Sequence, residues 1–182
     1  PAHLASIGSY GFLNVGDIYE SKVFKLTFNR EAGPVEFGQY AASDNGGLTE
    51  LLLPKVGSMS DNCFSNNSYL ELVDFALGST VEKIAYWSFT NCRVYKLYNI
   101  PASVKVIDEY AFASCGIKEI TWEEGTQLHT LGASAFSSAQ FTTFVFPETL
   151  EIVGPGVFNT NIQEITLNSV IKSTVASGGG SI

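Results

Sequence analysis

Apolar residues return along this chain in a fixed order, apolar-x-x-apolar-x-apolar. Seven such segments follow one another at intervals of 21 to 25 residues, and the fourth is one residue longer than the rest. They are Val23/Leu26/Phe28, Leu48/Leu51/Leu53, Leu70/Val73/Phe75, Val94/Leu97/Ile100, Ile117/Ile120/Trp122, Phe141/Phe144/Phe146 and Ile162/Ile165/Leu167. A period of about 23 residues is typical of a solenoid, in which each repeat buries its apolar face against the next. The pattern therefore predicts a repeat architecture.

A second motif alternates with the first, about half a period later. It reads apolar-x-x-apolar-x-x-x-small-Phe, and its copies are residues 4–12, 56–64, 81–89, 104–112, 128–136 and 150–158. A further copy at 34–42 keeps Phe37 and Gly38 but has Ala42 in place of the final phenylalanine. With that copy counted, the two motifs alternate without a gap from residue 4 to residue 167. Each repeat is therefore predicted to have a strand half and a return half.

The first motif has the properties of a β-strand. Its alternation has period two, and its residues are mostly β-branched, aromatic or leucine, which suit a pleated and half-buried surface. Pro54, Pro101 and Pro147 follow three of the segments, and proline cannot continue a hydrogen-bonded ladder. We therefore predict a repeat solenoid with one short parallel β-strand per repeat and few or no long helices.

The return half is predicted to supply an aromatic core. One phenylalanine recurs in most copies, and these rings are expected to stack as a spine: Phe12, Phe64, Phe89, Phe112, Phe136 and Phe158. A glycine often follows the fourth residue of the motif, as at Gly8, Gly38, Gly132 and Gly154. Such a position suits a positive φ or a close approach of two backbones, although Ala85 and Asp108 break the rule.

The combined motif resembles a known repeat. Residues 100–115 read Ile-Pro-Ala-Ser-Val-Lys-Val-Ile-Asp-Glu-Tyr-Ala-Phe-Ala-Ser-Cys, and residues 146–158 are nearly as regular. This resembles the BspA-like, treponemal-type leucine-rich repeat, over residues 4–167. The resemblance implies a leucine-rich-repeat solenoid wound as a right-handed coil. It also implies a bacterial protein that is secreted or displayed at the cell surface and that adheres to host matrix or to other cells.

The repeat pattern predicts how the chain is divided. Residues 1–168 are expected to form the solenoid, with a partial first repeat and an enlarged loop near residues 29–47, where the spacing departs from the family pattern. Residues 169–182 are expected to form a Gly/Ser-rich tail or linker. Because the chain opens inside a repeat, we expect it to be a piece of a longer protein, or an array whose uncapped ends pair with another chain.

The composition of the chain limits the classes of partner that it is expected to bind. The net charge is -8, with ten scattered Lys and Arg residues, so no basic patch for nucleic acid is predicted. The same charge disfavours attraction to anionic lipid. No apolar run has the length of a membrane-spanning segment.

The three cysteines have no metal-binding or redox spacing. Cys92 and Cys115 each lie three residues after the phenylalanine of their repeat and so occupy equivalent places, whereas Cys63 lies at another phase. Two interpretations stay open for the equivalent pair: a column of buried thiols, or a disulfide between neighbouring repeats. Cys63 is predicted to be a small buried residue.

The sequence contains no recognisable set of catalytic residues. His3 and His129 have no nucleophile motif beside them, and Glu123 with Glu124 is interpreted as solvated charge at a turn. Residues 43–47 hold one carboxylate, too few ligands for a calcium loop. We predict no catalytic residue, no cofactor and no metal site, and hence no enzyme.

The remaining candidate is the outward side of the predicted sheet. Residues between the apolar positions of each strand point to solvent, and one aromatic among them, Tyr98, has mixed polar and apolar neighbours. The predicted ligand-binding residues are Lys96, Tyr98, Glu119, Thr121, Thr143 and Val145. The predicted function is binding of a protein or glycan ligand, such as host matrix or a cell surface. The alternative is a structural spacer that presents another domain of a longer cell-surface protein.

Overall fold

The chain folds as a parallel β-solenoid in a computed structural model that describes residues 4–13, 24–31, 33–158, 162–168 and 173–174. Even-numbered strands form one side, which we call the strand face: β2 (Phe24–Thr27), β4 (Leu48–Leu52), β6 (Leu72–Asp74), β8 (Lys96–Ile100), β10 (Glu119–Trp122), β12 (Thr143–Phe146) and β14 (Glu164–Leu167). Each lies in one of the seven predicted segments, and only Val23 of those segments falls outside the described residues. The predicted parallel strand in every repeat is confirmed.

The return half of each repeat carries a second, shorter strand. These odd-numbered strands form the return face: β1 (Ser6–Ile7), β3 (Val35–Phe37), β5 (Val56–Met59), β7 (Lys83–Ile84), β9 (Val106–Ile107), β11 (Thr130–Leu131), β13 (Ile152–Val153) and β15 (Ser173–Thr174). Every pairing is parallel, for example Leu97 beside Ile120 and Ile107 beside Leu131. Within the described ranges the chain has no helix.

Among the described strands, each face is interrupted once. On the strand face, β2 to β10 form a five-stranded sheet, and β12 pairs only with β14. On the return face, β1, β3 and β5 form one sheet and β7 to β15 another. The two breaks lie at different heights, so the return sheet is continuous where the strand face opens.

The core is a single apolar column between the two faces, running from Ile7 to Val157. Its centre is the predicted stack of phenylalanines, with successive ring centroids 5.0 to 6.1 Å apart: Phe37, Phe64, Phe89, Phe112, Phe136 and Phe158. Most of these rings are fully buried. The spine thus joins the repeats by aromatic contact as well as by backbone ladders.

The first member of the spine differs from the prediction. Phe12 is 37% exposed, and among the described residues the stack begins at Phe37. Phe37 lies on β3 rather than at the usual position, which is taken by Ala42. Its ring packs 5.0 Å from Phe64. An aromatic side chain from the strand therefore compensates for the alanine in the turn.

Strand β14, the last described strand of the strand face, also differs from the prediction that its apolar residues point into the core. Ile165 and Leu167 are 44% and 57% exposed. Their predicted counterparts on earlier strands, such as Leu97 and Ile100, are fully buried. The difference follows from position, since no described face strand lies beyond β14 to cover it.

Two features bear on the predicted division of the chain. Arg30, in the predicted enlarged loop, contacts the carboxylate of Asp74 and the carbonyl oxygen of Phe75 at 2.5 Å each, which ties this loop to a later repeat. Strand β15 pairs with β13 and lies inside the segment 169–182. The boundary at 168 and the tail stay predictions.

The glycines after the return strands are explained by close backbone approach. A Cβ added to Gly132 would lie 2.4 Å from the amide nitrogen of Glu109, and one on Gly154 would lie 2.5 Å from that of Ala133. Gly38 is similar, whereas a Cβ on Gly8 meets nothing within 4 Å. Ala85 follows β7, which is not paired with β5, so this exception lies where the return sheet is interrupted. Nothing in the structure explains the exception at Asp108.

A left-handed residue follows in every repeat. Their φ angles lie between 54° and 61°, and the residues are Tyr10, Tyr40, Asn62, Trp87, Tyr110, Ser134 and Gly156. Five of these seven backbone N–H groups donate to a carbonyl oxygen of the next repeat, as from Tyr110 to Ala133 at 3.0 Å. A positive φ is unusual for aromatic residues, and here the ladder on both sides holds the backbone in place.

Replacing Ser134 with glycine is expected to raise the free energy of unfolding by about 0.5 to 1 kcal/mol, because glycine has no steric cost at a left-handed φ. Gly156 already occupies the equivalent place one repeat later. Urea unfolding measures the change. The control is Ala133→Gly, one residue earlier and without a positive φ, which should lower stability by about 0.4 to 1 kcal/mol. Equal effects of both substitutions would contradict the explanation.

All three cysteines are free and buried, which decides between the two interpretations of Cys92 and Cys115. Their thiols lie 3.2 and 3.0 Å from the carbonyl oxygens of Phe64 and Phe89, each in the preceding repeat. Burial raises the pKa of all three thiols, that of Cys115 to about 12. The thiol column therefore contributes packing and weak hydrogen bonds, and Cys63 is the small buried residue that was predicted.

Candidate binding face

The strand face presents the outward residues as predicted, in two parallel columns. The first column is Lys25, Glu50, Leu72, Lys96, Glu119, Thr143 and Glu164, and the second is Thr27, Leu52, Asp74, Tyr98, Thr121, Val145 and Thr166. Five of the six predicted ligand-binding residues are exposed, and Tyr98 is half-buried. The strands thus display these residues to solvent, which is the geometric requirement for contact with a large ligand.

Four of the six candidates lie together on β8 and β10. Lys96 is the register partner of Glu119. Tyr98 donates its hydroxyl to the carboxylate of Glu119, and this hydrogen bond raises the pKa of Tyr98. The Thr121 hydroxyl accepts the backbone N–H of Asn99 at 2.9 Å. Tyr98 and Glu119 are therefore oriented by each other, and Thr121 by the backbone of Asn99, before any ligand binds.

The strand face opens between β10 and β12. No backbone hydrogen bond joins these two strands, and every Cα of β10 is more than 8 Å from every Cα of β12. Paired strands are about 4.8 Å apart. On the return face of the same repeats, Thr130 pairs with both Val106 and Ile152. The repeats are therefore separated along β10 and β12. They are joined just before these strands, where the Gln140 N–H donates to the Ile117 carbonyl oxygen at 2.7 Å, and on the return face.

Aromatic crowding explains the opening. In the sixth repeat all three strand positions are phenylalanine, and they cluster with two spine rings at centroid distances of 4.9 to 6.2 Å: Phe136, Phe141, Phe144, Phe146 and Phe158. The same positions two repeats earlier hold Val94, Leu97 and Ile100. Larger side chains in a packed core force the backbone to shift. Here the shift separates β12 from β10.

The opening forms an apolar cleft of about 430 Å³. Its walls include Ile120, Trp122, Val145, Phe146, Thr126 and Glu148. Val145 is 54% exposed, which is high for a large apolar side chain. The cleft divides the six candidates, with Thr143 and Val145 on one wall and the β8 and β10 residues on the other.

The sequence did not reveal the cleft. Trp122 and Phe146 were predicted to point only into the core, but they also line this opening. The available signal was the run of three phenylalanines in a single segment, Phe141/Phe144/Phe146, which no other segment repeats. The sequence does not show that these three large rings would push two neighbouring strands apart, because that depends on how the rings pack together.

The sequence patterns also did not predict a second exposed group of aromatic residues. Tyr86 and Trp87 stack at 5.2 Å, and Tyr110 lies perpendicular to both at about 6 Å. Trp87 and Tyr110 belong to the left-handed column, and each is more than a third exposed. The rings contact one another along the return side, away from the cleft.

Residues considered for chemistry have structural partners. The ring of His129 lies 3.1 Å from the carboxylate of Glu151, on the surface. Glu123, predicted to be solvated, instead accepts the backbone N–H groups of Gly78 and Ala102 at 3.0 and 2.9 Å. His3 lies outside the described residues. In the part of the chain that the structure describes, no three His, Cys, Asp or Glu side chains could together hold a metal ion.

The same part of the chain contains no helix with the length and apolar character of a membrane span. The parallel solenoid, the aromatic spine and the outward strand face together define a leucine-rich-repeat domain.

The chain belongs to the family of the BspA type leucine rich repeat region, which matches in six copies over residues 1–98 and 95–177. The resemblance read from the motifs is thereby confirmed. Repeats of this family are generally non-catalytic, commonly mediate protein binding and are typically secreted or displayed at the cell surface.

A solved structure has the same fold. The chain is similar to a leucine-rich repeat protein from Bacteroides ovatus, whose crystal structure was determined at 1.19 Å resolution, with a TM-score of 0.69 and 21% sequence identity. The match covers 91% of this chain and 43% of that protein, so this chain spans less than half of its length. At this identity the likeness shows the fold alone. No curated protein matches the chain.

Proposed function

We propose that this chain is a non-catalytic binding domain, secreted or displayed at the cell surface, that holds a protein ligand against its strand face. The observation that carries this proposal is the cleft between β10 and β12, because it exposes apolar side chains that the other repeats bury. Two of the six candidate residues, Thr143 and Val145, line it.

The chemistry of the cleft suits a protein ligand. Its apolar lining includes Trp122, Val145 and Phe146, and its polar lining includes Thr126, Thr143 and Glu148. An apolar centre with a polar rim is the usual anatomy of a protein interface. Large apolar patches are rarely left exposed on a protein without a partner.

The test is a charge placed in the cleft. The purified domain is applied to an array of extracellular-matrix proteins and mucins, and we expect at least one component to retain it. Val145→Lys should reduce the retained amount about tenfold, because a charge covered by the ligand without a partner is costly. Thr166→Lys is the matched control, since Thr166 is the register partner of Val145 on β14 and does not line the cleft.

The control should bind as the unaltered domain does, and circular dichroism should show both variants folded. Equal losses in the two variants would contradict a role for the cleft. The alternative of a structural spacer is favoured by the unbroken aromatic spine, which makes the repeats one connected body. If no array component retains the domain, the spacer is preferred and the binding proposal is rejected.

A further inference from the structure

We infer that the ligand of the cleft is an extended, basic peptide segment that inserts as a β-strand between β10 and β12 and completes the strand face. This inference rests on the proposed function and specifies the ligand of the same site. It goes beyond binding on the outward surface, because the peptide would become part of the sheet.

The opening is wider than the spacing of two directly paired strands. An inserted strand would pair with both neighbours and so needs two strand spacings, about 9.6 Å. The Cα atoms of β10 and β12 are more than 8 Å apart, well beyond a single spacing. The return sheet holds the same repeats together through Thr130, so the opening can be filled without separating the solenoid.

The strand edges on the two sides of the cleft indicate that its occupant is an extended peptide. Among the described face strands, β4, β6 and β8 are paired on both sides, whereas β10 pairs only with β8 and β12 only with β14. Two strand edges therefore face each other across the cleft with no backbone bond between them. Backbone N–H and C=O groups require partners, and an extended peptide added to a sheet edge supplies them in register.

The charge of the walls favours a basic peptide. The outward positions of the two walls are Glu119 and Thr121 on β10 and Thr143 and Val145 on β12, with no lysine or arginine among them. One strand further out, Lys96 lies beside Glu119 and Glu164 beside Thr143, so these two charges offset each other. Glu148 lies at the end of the cleft. Lys118 precedes β10, but its ammonium group lies 5.2 Å from the Tyr95 ring, towards β8 and away from the opening.

Strand geometry then specifies the peptide sequence. Successive side chains of a strand point to opposite faces. One set would meet Ile120 and Phe146 in the cleft and should be apolar and β-branched. The other set would stand on the strand face between Glu119 and Thr143, with Glu148 also lining the cleft, and should be lysine or arginine. The expected ligand is therefore a segment of alternating apolar and basic residues.

The probe is a short capped peptide of alternating lysine and valine, bound to the purified domain and followed by fluorescence anisotropy. Hydrogen exchange is measured at residues 119–122 and 143–146. Binding should slow exchange in both strands. A version with alternate backbone amides N-methylated loses the donors to one edge and should bind at least about tenfold more weakly.

Two further peptides and variants test the parts of the inference separately. A peptide of alternating glutamate and valine should bind at least about tenfold more weakly than the lysine peptide. The variant Phe141→Val/Phe144→Leu/Phe146→Ile gives the sixth repeat the residue types of Val94, Leu97 and Ile100. It should close the ladder, protect the β10 and β12 amides without peptide, and lose peptide binding.

Equal affinity of the N-methylated peptide, or unchanged binding by the triple variant, would overturn strand insertion. Equal affinity of the glutamate peptide would overturn the basic character of the ligand. Self-association that protects β10 and β12 would overturn a peptide partner and assign the cleft to a second copy. If array binding depends on Val145 while no peptide binds, the proposed function stands and this inference fails.

Discussion

Phe112→Ala is expected to lower the free energy of unfolding by about 3 to 5 kcal/mol, the usual cost of emptying a phenylalanine site in a core. The ring is fully buried and stacks on Phe89 at 5.1 Å and on Phe136 at 5.4 Å, nearly parallel to both. Removing it leaves a cavity in the middle of the spine. The neighbouring rings cannot move in to fill it, because each belongs to a separate hydrogen-bonded repeat.

The chain offers a matched control at the same repeat position. Phe12 is 37% exposed, so Phe12→Ala should cost about 1 to 2 kcal/mol, since part of the ring is already in water and its removal leaves no enclosed cavity. Urea unfolding followed by circular dichroism measures both losses. Similar losses in the two variants would show that the stack of rings contributes no more than an exposed aromatic side chain.

The second large effect is expected from Gly132→Ala. The added Cβ would lie 2.4 Å from the nitrogen of Glu109 and 2.6 Å from the carbonyl carbon of Asp108. Both atoms are backbone, so the two repeats must move apart locally. Overpacking of this kind costs about 1 to 3 kcal/mol.

Gly8→Ala is the control, because Gly8 occupies the same place in its repeat and an added Cβ there meets nothing within 4 Å. It should be neutral or slightly stabilising, by up to about 1 kcal/mol, through the reduced freedom of the unfolded chain. Thermal and urea unfolding of the two variants give the comparison. A loss at Gly8 as large as that at Gly132 would mean that backbone proximity is not what requires glycine in the motif.

The regular part of the fold could be predicted because it depends on local periodicity. Leu97 and Ile107 face inward simply because strand residues alternate, and the parallel arrangement follows from repetition. The spine could be predicted for the same reason. Its first member could not, because the contact of Phe37 with Phe64 depends on a side chain reaching from a different element.

The candidate site could be predicted only in part. The outward residues, such as Lys96 and Thr143, were placed correctly on the strand face, because their position follows from the period of the strand. The cleft between them depends on how five phenylalanine rings share one volume. Side-chain volume summed over several repeats has no period, so no local pattern indicated where the ladder would part.

The left-handed column can exchange its side chains by mutation without a change in its backbone. Tyr, Asn, Trp, Ser and Gly all occupy this position at nearly the same φ, from Tyr10 to Gly156. The turn is thus held by its backbone ladder and accepts very different side chains. Tyr10, Trp87 and Tyr110 are all more than a third exposed. Mutation can therefore alter this strip of surface one coil at a time, and new specificities can arise along it while the buried rings stay as they are.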